Sequence, residues 1–341
     1  MALALLVTAL CYGAVEGVRR LAVRRGMLDM PGARSSHRVP TPRGGGVVIV
    51  VAALLAALVA TLALRVRLTP ALVGWLAGGA AVALVGWMDD ARSLSTRVRL
   101  LVQVSAAVAV LVGAGCWSEL ELPLAGQLPL SWAGCPLALL WMVGMTNAYN
   151  FMDGIDGIAA GQAIVAGLAW AIIGHLVGAP DVAAIGGAIA LSSTAFLLHN
   201  RPPARIFMGD VGSGFLGFTF AALPLLLAAA GGNVDRARLP VAGAALVWPF
   251  LFDAAFTFSA RLARGENVFE AHRRHLYQRL VIAGAGHAGV SAVYGGWALV
   301  SSALGILWLR GWAAAGAILL GWSLLSAAVM VARVRARERR P

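Results

Sequence analysis

The stretch Asn147-Ala-Tyr-Asn-Phe-Met-Asp-Gly-Ile-Asp-Gly157 sets two amides, two carboxylates and two glycines between long apolar runs. Carboxylates at a membrane boundary are costly unless they bind something. The paired Asp-Gly steps favour a tight turn whose backbone N–H groups reach an anionic ligand. Mg²⁺ takes one or two carboxylates and completes its shell with water and substrate oxygens. Asp153 and Asp156 therefore suit a Mg²⁺-bound phosphate group.

Four further clusters carry chemistry of the same kind. Trp87-Met-Asp-Asp-Ala-Arg92 holds adjacent Asp89 and Asp90, whose repulsion eases when a cation or a proton is shared. One of them suits Mg²⁺ and the other a phosphate proton or a supporting contact; the bland alternative is a loop pair neutralised by Arg92 or Arg97. Asn200 to Gly214 contains Phe207 and sets Asp210 between glycines at the start of an apolar run. Helix N-termini bind phosphate oxygens, and an acid there suits a metal, or else simply caps the helix. Arg34 to Gly46 is basic and ends in three glycines. Arg38 and Arg43 offer guanidinium forks to a diphosphate there. His272-Arg-Arg-His-Leu-Tyr-Gln-Arg279 places two imidazoles three residues apart, facing one way if the segment is helical. With Arg273 and Arg274 alongside, anion binding fits better than a histidine-only metal site.

These clusters need elements to position them, and composition names the class. The 341 residues are 60% hydrophobic and 12% charged, with mean hydropathy +0.81. Soluble domains carry about 25% charged residues, so the chain is expected to be a single all-α polytopic membrane domain covering 1–341. A span needs about 20 apolar residues. Eleven spans are expected, near 2–18, 44–64, 70–88, 99–115, 134–149, 158–177, 182–199, 214–231, 239–260, 285–308 and 311–332. The net charge of +12 comes from arginine alone. The arginines sit in short loops, which argues for topology signals and phosphate ligands and against nucleic acid. With the N-terminus outside and the C-terminus cytosolic, 22 of 27 arginines face inward. All five clusters then share the cytosolic face.

Smaller features are weighed in the same way. Met1–Gly17 lacks a basic n-region and is expected to be an uncleaved span. Cys116 and Cys135 share an outer loop region, and whether they pair is left open. Asp253 lies inside the ninth span behind Pro249 and is read either as a structural ion pair with Arg261 or Arg264 or as part of the site. Glu16 and His199 are expected to be structural. His175 and His287 are expected near the outer side with no special role. Asp153-x-x-Asp-Gly-x-x-Ala160 opens like the CDP-alcohol phosphotransferase signature, but Gly161 follows and no further acid comes before Asp181, which excludes it.

In combination and order, these motifs resemble those of the polyprenyl-phosphate N-acetylhexosamine-1-phosphate transferases. The resemblance rests on Ser-Ser-His…Pro-Thr-Pro-Arg-Gly-Gly, the Asp89-Asp90 pair, Asn-Ala-Tyr-Asn-Phe-Met-Asp-Gly-Ile-Asp-Gly and Phe-Met-Gly-Asp-Val-Gly-Ser-Gly, and it covers nearly the whole chain. It implies Mg²⁺ (or Mn²⁺) held chiefly by Asp210, with Asp89 and Asp153 as further ligands. It also implies Asp89 and Asp90 at a polyprenyl phosphate, one of them a base, with Asp210, His272 and His275 completing the catalytic set. Asn150, Asp153 and Asp156 would line the nucleotide-diphosphate pocket. Asn200 and Phe207 would contact uridine, Phe207 by stacking. Arg38 stands where the peptidoglycan enzyme of the family has Lys.

The late loop departs from the consecutive histidines of that enzyme and is closer to enzymes that initiate O-antigen, including users of 6-deoxy sugars. The implied partners are a UDP-N-acetylhexosamine, undecaprenyl phosphate and membrane lipids. The implied place is the bacterial inner membrane, with a cytosolic-facing site and a homodimer by analogy with the peptidoglycan enzyme. The expected activity is transfer of a HexNAc-1-phosphate with release of UMP, beginning a lipid-linked glycan of lipopolysaccharide type. Phospho-MurNAc-pentapeptide transfer is the alternative. A transporter is the rival from another class, but its acids should lie near mid-membrane.

Overall fold

A computed structural model describes residues 1–31, 39–63, 65–231, 233–268, 270, 272–312 and 314–339. Arg38 lies outside them. The architecture is all-α, with two short hairpins added. Helix α1 (Ala2–Arg24) leads through strands β1 (Leu28–Asp29) and β2 (Thr41–Pro42), paired antiparallel, into α2 (Val47–Ala63). Helix α3 (Pro70–Ala91) begins at Thr69, whose hydroxyl accepts from Leu72 N, with Pro70 in the first turn. Ser95 caps α4 (Thr96–Ala114) in the same way. Strands β3 (Glu119–Leu122) and β4 (Gly126–Pro129) form the second hairpin.

Helices α5 (Gly134–Met152), α6 (Ile158–Leu176), α7 (Pro180–Asn200) and α8 (Asp210–Ala230) follow. A break separates α9 (Leu239–Leu246) from α10 (Trp248–Leu262), and the chain bends by 78° there. Pro249 sits in the first turn of α10, where its missing N–H costs least. Helices α11 (Leu276–Ile282), α12 (His287–Leu309) and α13 (Ala315–Glu338) complete the chain.

Each of the eleven expected spans falls on a helix or on the broken α9–α10 pair. Among the described residues, eight helices are long and apolar enough to cross a membrane, or nine with that pair. Helix α2 has 17 residues and is short for the task.

Helix α8 is apolar on every face, and so it forms the centre of the bundle. Trp75 on α3 donates to Thr219 (3.2 Å), and Trp141 on α5 donates to the Ala221 carbonyl (3.0 Å). Close approach depends on missing side chains. A Cβ on Gly86 of α3 would lie 2.5 Å from the Asp210 carbonyl oxygen, and one on Gly217 would lie 2.7 Å from that of Met145. Any larger residue at Gly86 would push away the helix end that carries Asp210.

Candidate active site

The N-terminus of α8 is fixed by Asp90. Its two oxygens accept from the Asp210 N–H (3.0 Å) and the Val211 N–H (3.2 Å), and its side chain has no exposed surface. Arg43 lies 3.6 Å away and also pairs with Asp29 (3.1 Å), tying the β1–β2 hairpin to the same point. Sequence reasoning placed Asp90 at the substrate. In the structure it is a buried carboxylate engaged by backbone, and it positions Asp210.

Asp89, one residue earlier, accepts from Leu94 N (2.6 Å) and Arg99 Nη1 (2.7 Å). The same Arg99 nitrogen is 3.5 Å from Asp210 Oδ2. Arg99, one of the loop arginines expected to be topology signals and phosphate ligands, bridges the two carboxylates. The signal that could have found it is its place on the first turn of α4, seven residues past Arg92 at the end of α3. Asn150, on the last turn of α5, donates to Ser213 (2.9 Å) and stands beside the Asp210 carboxylate. Asp153 follows at the C-cap of α5. Burial, and then the negative charges of Asp210 and Asp90, push its carboxyl up to about 7.

The Asp-Gly-Ile-Asp-Gly turn is stitched to the α7–α8 connection. Asn200 accepts from Gly157 N (2.8 Å) and donates to the Ile206 carbonyl (2.9 Å). Asp156 accepts from Ala204 N (3.1 Å). Both amide ends of Asn200 are therefore taken by the chain, which gives it a loop-holding role. Phe207 is half-buried; its N–H donates to the Pro42 carbonyl (2.8 Å) and its own carbonyl accepts from Gly45 N (2.9 Å).

His287 is a correction. It opens α12 at this same end of the bundle, its Nδ1 3.3 Å from Asp156 Oδ2, and not at the end away from the five clusters. The structural reading of Glu16 fits the geometry: it accepts from Arg19 and Arg20 at 2.8 Å and lies 3.7 Å from His199.

The histidine loop is not a continuous helix. His275 is the N-cap of α11, and His272 precedes it in the loop, with the ring centroids 5.1 Å apart. Asp253 provides a second correction. Arg261 and Arg264 both pair with Glu266 (3.2 and 2.7 Å), as does Arg274. Asp253 instead receives His275 Nδ1 (3.2 Å), Leu276 N (2.8 Å), Tyr277 N (3.1 Å), Tyr294 OH (2.6 Å) and Thr257 OH (3.2 Å). The fully buried carboxylate thus orients His275 and ties α10, α11 and α12 together. Burial first, then His275 and the nearby arginines, lower His272 to about 4, which leaves it neutral at pH 7. Its Nδ1 accepts from Arg274 N (3.3 Å), so Nε2 carries the proton and is free to donate. Arg273 lies half-buried between the two histidines in sequence.

Two cavities meet at this loop. The more polar one, of about 400 Å³, has Asp210, Asn150, Arg99, Gln103, His272 and His275 on its wall among apolar residues such as Val85, Leu100 and Phe151. An apolar one of about 710 Å³ runs between α5 and α9–α10, from Trp117 and Leu120 near the β3–β4 hairpin to Arg261, His272 and His275. At its far end Cys116 and Cys135 form a disulfide (Cα–Cα 4.8 Å), which answers the open question of their pairing.

Among the described residues, no three His, Cys, Asp or Glu side chains converge as a closed metal site. An Mg²⁺ site does not need three. Asp210, its side chain one-third exposed, opens into the polar cavity with Asp89 across the Arg99 guanidinium. Oxygen-only donors with one or two carboxylates fit Mg²⁺, whereas Asp90, engaged by backbone, does not.

A model of glycosyl transferase family 4 matches residues 72–228. A probable undecaprenyl-phosphate N-acetylglucosaminyl 1-phosphate transferase of Bacillus subtilis is 29% identical over 79% of this chain and 74% of its own length. A decaprenyl-phosphate N-acetylglucosaminephosphotransferase of Mycobacterium tuberculosis is 32% identical over 82% of this chain and 75% of its own. A phospho-N-acetylmuramoyl-pentapeptide-transferase of Heliobacterium modesticaldum is 33% identical over 85% and 90% respectively.

Proposed function

Because the chain belongs to glycosyl transferase family 4, we propose that it transfers an N-acetylhexosamine 1-phosphate from a UDP-sugar to undecaprenyl phosphate and releases UMP. The observation that carries this reading is the meeting of the apolar groove and the polar cavity at His272 and His275. The groove suits a polyprenyl tail, with its phosphate at the Arg261 and His275 end. The polar cavity suits the diphosphate and sugar of the donor.

A lipid-phosphate oxygen attacks the β-phosphorus, forming a new P–O–P link. The bond from that phosphorus to the bridging oxygen breaks, and UMP leaves. A phosphate's second pKa is about 6, so the nucleophile is largely ionised at pH 7 without a base. That supports a positioning role for Asp90 in place of a proton-accepting one. Mg²⁺, when bound at Asp210 and Asp89, would supply charge neutralisation for two anionic partners. His272, held neutral, donates through Nε2 to a phosphate oxygen, and His275 is aimed by Asp253. Arg43 and Arg99 add positive charge near the same carboxylates.

The proposed orientation puts this end in the cytosol of a bacterial inner membrane. The disulfide at the opposite end supports that choice, since disulfides persist on oxidising faces. The donor is proposed to be of the GlcNAc or 6-deoxy-HexNAc type used to initiate surface glycans such as O-antigen. The likeness to the pentapeptide transferase keeps UDP-MurNAc-pentapeptide in the test. Purified protein with undecaprenyl phosphate, Mg²⁺ and a panel of UDP-sugars should release UMP with one of them. A folded protein that neither releases UMP nor binds UDP would refute the proposal.

A further inference from the structure

A second cleft, of about 630 Å³, opens on the opposite side of α10 from the groove. Leu251, Ala254 and Phe258 face the groove, while Phe252 and Phe256 face the cleft. Those two rings stack with centroids 5.7 Å apart and form one wall. The other wall is α13, where Ala328 and Val331 lead down to Arg335 and Arg339. The two arginines are four residues apart, on one face of the helix. Glu338 is held by Arg279 through two 2.8 Å contacts and also interacts with Arg335, and this one carboxylate against Arg279, Arg335 and Arg339 leaves the rim of the cleft with net positive charge.

We infer that this cleft is a binding site for an anionic glycerophospholipid of the inner leaflet, an acyl chain lying along Phe252, Phe256 and Val331 and the headgroup phosphate between Arg335 and Arg339. Basic pockets between membrane helices on the cytoplasmic side recognise such headgroups. Charge complementarity selects this occupant. A second copy of the chain in a two-fold contact would bring the same two arginines face to face. The inference does not depend on the transfer reaction, because the cleft shares no lining residue with either cavity of the active site.

Arginines at the end of a last helix also serve as topology anchors, and Arg333 and Arg337 make the separating control. They lie on α13 but do not line the cleft. The full-length protein in detergent micelles is titrated with phosphatidylglycerol and with phosphatidylcholine, and bound lipid is counted by native mass spectrometry. Each guanidinium near a headgroup is worth about a fivefold gain in affinity. R335Q/R339Q should therefore weaken phosphatidylglycerol binding by roughly twentyfold or more, and R333Q/R337Q by less than about twofold. Equal losses in the two double variants would reduce the effect to diffuse charge and overturn the site. So would equal retention of phosphatidylcholine by the wild type.

Discussion

Asp253→Asn tests whether His275 acts in an orientation imposed by a buried carboxylate. In the wild type, Oδ1 accepts from His275, Leu276 N and Thr257, while Oδ2 accepts from Tyr277 N and Tyr294. Asparagine keeps one oxygen. The cheaper placement puts its NH₂ at the Oδ2 position, because the Tyr294 hydroxyl can turn and accept, and strands only the Tyr277 N–H. One buried donor left unsatisfied costs about 1–3 kcal/mol, so the variant should still fold with a lower melting temperature. The ring of His275 then faces a neutral oxygen, and loss of such a supporting carboxylate costs about 10- to 100-fold in activity. UMP release should fall by that factor while UDP binding stays within about threefold. The decisive assay is the double variant Asp253→Asn with His275→Gln. If Asp253 acts through His275, it should lose no more activity than His275→Gln alone. Losses that multiply, or an Asp253→Asn protein with full activity, would refute the reasoning.

The fold raises Asp153 to about 7, well above the usual 3.9 of a free aspartate. It therefore favours the protonated acid: the stabilising contribution is complete below about pH 4 and lost as pH rises through about 7. Thermal unfolding in chelator should show stability falling between about pH 4 and 7 and levelling above that, with Asp153→Asn flattening the slope and Mg²⁺ restoring stability at the high end. Cys116→Ser/Cys135→Ser opens a link between positions 19 residues apart and should cost about 3 kcal/mol. Reductant should lower the melting temperature of the wild type and leave the double variant unchanged. Gly86→Ala sets a methyl group 2.5 Å from the Asp210 carbonyl oxygen. It should reduce UMP release by about tenfold or more, as expected for a displaced catalytic group, whereas Gly187→Ala on α7, which meets nothing within 4 Å and lies outside both cavities, should not.

Class and site were readable to different depths. Apolar length and arginine placement mark the helical elements, because both follow from burying backbone in hydrocarbon. The convergence of Asp89, Asn150, Asp153, Asp210 and the histidine loop follows from motifs on one face, since each ends or begins a helix there. Partner identity was not readable. Asp253 lies near its arginines in sequence, but the 78° bend before α10 and the turn into α11 deliver it to His275. Asp90 looks like a ligand from its type and place, and the resemblance puts Asn200 at uridine, yet backbone groups hold both: two N–H groups of α8 on Asp90, and Gly157 N and the Ile206 carbonyl on Asn200. His287 was misplaced because a single residue at a span boundary carries no sign of which turn it packs against.

The central claim is attack on the β-phosphorus, so the most direct measurement follows that atom. Protein is supplied with undecaprenyl phosphate, Mg²⁺ and the active UDP-sugar carrying ³²P in the β-position. The account predicts label in the lipid product together with the sugar, unlabelled UMP as the nucleotide, and loss of both in Asp210→Asn. Label left on a released UDP, with sugar alone on the lipid, would contradict it.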